Sequence, residues 1–107
     1  MKMKKCFFLI PTSYNDGREV PTEVMAGIFE ELYVNFGGYS ITGITEGTFR
    51  MADGTKASDS SLQVWVIMEE SMVPVMRKLI KKFGKTLGQE KIFFEAMDWS
   101  GEFIEPD

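Results

Sequence analysis

The chain has 107 residues, 44% of them hydrophobic, 26% charged and 13% aromatic, enough for one globular domain with a real core. A net charge of -4 argues against non-specific nucleic-acid binding. The absence of histidine excludes Ser-His-Asp and Cys-His catalysis; a single cysteine excludes an intrachain disulfide, and the two together exclude a conventional structural zinc site. That cysteine usage reads as cytoplasmic.

Lysines precede the first apolar run, Cys6-Phe7-Phe8-Leu9-Ile10, which Pro11 stops. Five residues are too few for a signal-peptide core or a membrane span, so residues 4–11 read as a first β-strand. Cys6 inside it reads as a buried, inert thiol. A polar loop follows, with Asn15-Asp16-Gly17 as its turn signal.

Pro21 suits the first turn of a helix, and Met25, Ile28, Phe29, Leu32 and Phe36 recur at steps of three and four. Gly37-Gly38 ends that helix. From Tyr39 to Arg50 the pattern is β-type. Gly43 and Gly47 interrupt it, as expected for a bulge or a close backbone approach. Ala52-Asp53-Gly54-Thr55 marks a turn. The run 62–68 alternates Leu62, Val64, Val66 and Met68 against Gln63, Trp65 and Ile67, apolar on both faces and therefore central. A second helix is expected from an N-cap at Ser71 to Leu87, then a fourth strand over 91–97. The core is thus expected over about 4–97 of one domain spanning the chain. The tail, 98–107, is expected to pack on the sheet or add an edge strand.

This order predicts an α+β, ferredoxin-like β-α-β-β-α-β sandwich, strand order 4-1-3-2, with both helices on one face. Two surfaces then stand out. The open sheet face would carry Trp65, Ile67 and a strand-one aromatic, an apolar patch that the tail or a second subunit must cover. A homodimer is expected, with Trp65, Ile67, Trp99 and Phe103 as interface candidates. At one end of the sheet, three polar segments converge. Arg18, Arg50 and Lys56 would contact a small anion there. Asn15, Asp16 and Gln89 would shape the pocket, with Glu19, Asp59 and Glu90 beside them.

Helix one is acidic, with Glu23, Glu30 and Glu31, and helix two basic, with Arg77, Lys78, Lys81, Lys82 and Lys85. Opposite charges on neighbouring helices are expected to pair. No G-x-x-x-x-G-K-[ST] or strand-linked G-x-G-x-x-G occurs, and neither a cofactor nor a metal site is indicated. Paired carboxylates such as Asp16 with Glu90 or Asp59 are the remaining acid–base option.

The motifs Ile10-Pro11, Asn15-Asp16-Gly17, Glu19-Val20-Pro21, Phe36-Gly37-Gly38, Ala52-Asp53-Gly54 and Leu87-Gly88-Gln89-Glu90 together resemble a set of small bacterial and mobile-element proteins. The resemblance runs to about Met97 and implies no activity or site residues. Three readings follow from the residues: a binding module for an anionic small molecule or protein partner, a small cofactor-independent enzyme of the dimeric α+β-barrel kind, and a phage or mobile-element interaction factor.

Overall fold

The computed structural model describes residues 2–107. Four strands and two helices follow in the expected order: β1 (Met3–Pro11), α1 (Thr22–Phe36), β2 (Ser40–Arg50), β3 (Lys56–Glu69), α2 (Val73–Thr86) and β4 (Phe94–Asp98). All strand pairs are antiparallel, in the order β2-β3-β1-β4, which is the predicted order read from the other edge.

Strand alternation creates the core. Cys6, Phe8 and Ile10 of β1 and Val64, Val66 and Met68 of β3 point to one face and are buried. Ile28, Phe29 and Leu32 of α1 and Val73, Met76, Ile80 and Phe83 of α2 close over them in the same cluster. Both helices therefore lie on one face. Their opposite charges meet as expected in an ion pair between Lys82 and Glu31. Burial also pushes the Cys6 thiol pKa up, so at neutral pH it remains an unreactive thiol.

Gly37 ends α1 at φ 81°, its N–H donating to the Tyr33 carbonyl, a conformation that glycine adopts without a Cβ penalty. The two strand glycines fulfil their expected roles. The β2–β3 register shifts between Ile41 and Gly43, a bulge, and a Cβ at Gly47 would lie 2.7 Å from the Phe49 ring.

Three boundaries differ from the expectation. β3 begins at Lys56 rather than Leu62, because Ser58, Asp59, Ser60 and Ser61 pair with β2 despite weak β-propensity. Ser71 does not cap α2; it lies in a 3₁₀ turn over Glu70–Met72, and Met72 precedes the helix. β4 starts at Phe94, with Phe93 only handing its carbonyl to Leu9 N–H at 3.3 Å.

β4 is the C-terminal edge strand, and the residues after Asp98 add no other. The tail does not lid the sheet either. Trp99 N–H donates to the Met3 carbonyl and its ring meets Phe103 at 5.8 Å, while Phe103 and Ile104 are about 80% exposed.

At that end of the sheet, Lys4 Nζ donates to Asp98 Oδ1 at 2.5 Å, with Lys2 and Glu70 beside them. The hydrogen bond from Lys4 holds the Asp98 pKa below its usual range, and Asp98 in turn raises that of Lys4. The depressed carboxylate contributes stability above its unfolded pKa that is lost as pH falls; the raised ammonium contributes below its unfolded pKa and fades in strong alkali. Asp98→Asn is therefore expected to lower the urea midpoint slightly at pH 7, with the difference closing as the pH falls to about 2.

Candidate functional site

Ser60 is the last β3 residue held by the β1 side, through Thr12 N–H at 2.9 Å. Beyond it the β2–β3 hairpin continues as a free two-stranded ribbon to Arg50 and Lys56, closed by a loop over 51–55. Met51 N–H donates to the Thr55 carbonyl, and Asp53 Oδ1 accepts from both Thr55 N–H and Thr55 Oγ1, which holds the Asp53 carboxyl low. The tip is thus a built turn.

Two further loops meet this end. Asn15 Nδ2 donates to the Gly88 carbonyl at 3.0 Å, and Gln89 Nε2 donates to Asn15 Oδ1 at 3.2 Å. Glu90 Oε2 accepts from Ala52 N–H at 3.1 Å, tying the hairpin tip to the loop that precedes β4. Among the sequence candidates, Asn15, Gln89 and Glu90 are brought together by these bonds.

The others divide. Asp16 Oδ1 and Oδ2 accept from Arg18 N–H and Nε, so this pair largely satisfies itself, and the Arg18 backbone bond holds the Asp16 pKa low. The Arg18 guanidinium also lies 5.1 Å from the Tyr14 ring centre. Glu19 pairs with Ser13 in an isolated bridge. Asp59 faces Gly47 across the ribbon, while Arg50 faces Lys56 an odd number of residues away. Asp59 therefore points to the opposite side of the ribbon from that cationic pair.

Arg50 directly opposite Lys56 is the electrostatic oddity of the site. Like charges across a strand pair repel. Among the described residues neither takes part in an ion pair. Asp53 and Glu90, the carboxylates bonded into the tip, accept from Thr55 and Ala52. No group of three or more potential metal ligands occurs among the described residues.

The open sheet face is built as expected. Phe7 pairs with Trp65, with Leu9, Ile67, Phe93 and Met97 on the same face, while exposed Glu95 lies opposite Phe7 and Ser40 opposite Trp65. Phe7 and Phe93 meet edge to face at 6.2 Å, and Lys5 Nζ lies 4.8 Å above the Trp65 ring. Among the described residues no helix is long and apolar enough to cross a membrane.

One feature the sequence reading missed lies on the helix side. Ile41 and Ile44 share the face of Val64 and Leu62, yet they are 47% and 64% exposed. α1 does not reach over them. A groove of about 570 Å³ runs along the flank of α1, lined by Thr22, Met25, Phe29, Glu30 and Tyr33 with Tyr39 from the start of β2.

The fold is shared with solved proteins of low sequence identity. A phage SAM lyase, solved in complex with S-methyl-5'-thioadenosine, matches 91% of this chain and 81% of its own, with a TM-score of 0.69 at 15% identity. CutA1 from Shewanella sp. SIB1 matches 94% of this chain and 84% of its own, TM-score 0.66 at 14% identity. CutA1 from Oryza sativa gives 96% and 84%, TM-score 0.62 at 12% identity. These likenesses establish the ferredoxin-like α+β architecture. No protein-family model and no curated protein sequence matches the chain.

Proposed function

We propose that this chain is a homodimeric binding module that takes a small anionic molecule at the loop end. The observation that carries the reading is the Arg50–Lys56 pair, without an ion-pair partner among the described residues, on a hairpin tip clipped by Glu90 to the loop that precedes β4. An anion seated there would relieve the cross-strand repulsion and accept charge-assisted hydrogen bonds from both side chains. Asn15, Gln89 and Glu90 hold the loops in place, while Arg18 is engaged by Asp16. The apolar face centred on Phe7 and Trp65 would pack against its copy in a partner subunit.

Calorimetric titration with AMP and with adenosine tests this. AMP is expected to bind saturably and adenosine about tenfold more weakly or not at all, because only AMP carries the anion. The double variant Arg50→Ala/Lys56→Ala is expected to abolish the difference. Equal binding of both ligands, or AMP binding unchanged in the double variant, would contradict the reading.

A second reading is an enzyme of the same fold acting on S-adenosylmethionine, favoured by the SAM lyase likeness over 91% of the chain. Incubation of the full chain with S-adenosylmethionine, followed by chromatography, would reveal S-methyl-5'-thioadenosine if it holds. No product above the buffer control would remove it.

A further inference from the structure

We infer that the groove between α1 and the start of β2 is a second binding site, for a methylated onium head group. It shares no lining residue with the loop-end anion site and does not depend on it.

The groove exists because of a mismatch in the fold. Thr22, Met25, Phe29 and Tyr33 follow one another at helical steps along one flank of α1. The other flank faces α2 through Glu31 and Lys82. The groove flank is thus the one turned away from α2, toward the sheet edge formed by β2. There the bulge between Ile41 and Gly43 leaves both isoleucines exposed on the helix side, outside the lining of the groove itself.

Its chemistry is specific. The Tyr39 ring, 41% exposed, packs at 4.8 Å on the largely buried Phe29 ring to form one wall, and Tyr33, 59% exposed, stands one turn beyond Phe29. Glu30 is exposed on the same flank and takes part in no ion pair among the described residues. No lysine or arginine lines the groove. Aromatic walls and one unneutralised carboxylate complement a cation that is itself apolar at its surface. Quaternary ammonium and sulfonium groups have that character, since their methyl groups pack on rings while the charge is drawn to the ring faces. A lysine-like ammonium fits less well because it would lose its strong hydration. The volume is within the range of small-ligand pockets, roughly 300–1,000 Å³.

The test is a ligand titration of the full chain followed by NMR on the tyrosine ring signals. The probes are choline, its neutral isostere 3,3-dimethylbutan-1-ol, and trimethylsulfonium. At least one charged probe is expected to shift the Tyr33 and Tyr39 signals saturably, and the neutral isostere at least about fivefold more weakly. Whichever of choline and trimethylsulfonium binds tighter identifies the source of the onium group. Glu30→Gln, an exposed and shape-preserving change, is expected to weaken the charged probe about three- to tenfold. Glu31→Gln, on the opposite flank, is expected to leave it unchanged. Equal affinity for the neutral isostere, insensitivity to Glu30→Gln, or no saturable shift with either charged probe would overturn the proposal.

Discussion

Trp65→Glu is expected to turn a dimer into a monomer while leaving the helix-side core folded. Trp65 lies on the open face, cross-strand from Phe7, and its neighbours Ile67, Leu9 and Phe93 are apolar. Lys5 covers its ring only in part. If that face meets its copy across a two-fold axis, each subunit inserts one Trp65, and a carboxylate there would lose its hydration with Lys5 as its one cationic neighbour within the subunit. Central interface tryptophans commonly account for about 2 kcal/mol or more on truncation, so the dissociation constant should rise at least about thirtyfold. Light scattering across a concentration series reads this directly. A dimer that survives Trp65→Glu places the contact elsewhere. A wild-type monomer removes the interface altogether.

Phe8→Ala is expected to have the largest effect on stability. Phe8 is fully buried, sits between Val64 on β3 and Phe94 on β4, and stacks with the Phe94 ring at 6.5 Å. Cavity-forming Phe→Ala changes in cores cost about 3–5 kcal/mol. For a domain of this size that approaches total stability, and the melting temperature should fall by roughly 15 °C or more. Phe93→Ala is the control. Phe93 itself is on the opposite face from Phe8 and 53% exposed, so its loss should cost the fold much less. Chemical denaturation of both variants separates the two positions.

Much of this architecture was legible because alternation and helical spacing were unambiguous where the core forms. β1 and the 62–68 run state their two faces outright, and the α1 stripe from Met25 to Phe36 does the same for the helix. The polar start of β3 was not legible. Ser58 to Ser61 carry turn-like residues, and only pairing with Thr48, Gly47, Glu46 and Thr45 makes them strand. The α2 start was misplaced because Ser71 is a good cap by type, yet the chain tightens there into a 3₁₀ turn.

The site followed the same division. Convergence of the three loops came from topology, which fixes where strand ends and helix starts must lie. The particular bonds of Asn15 to Gly88 and of Glu90 to Ala52 needed side-chain geometry. The exposed isoleucines of β2 did leave a trace in the sequence. Ile41 and Ile44 are three apart, a spacing that puts strand residues on opposite faces unless a bulge intervenes, and Gly43 between them was the signal for one.

An anion held at the hairpin tip should be visible in backbone amide shifts during an AMP titration. Saturable shifts confined to residues 50–56, 15–18 and 88–90 are expected, with the α1 flank and the Trp65 face unmoved. Saturable shifts centred on either of those other surfaces, or none at the hairpin tip, would contradict that placement.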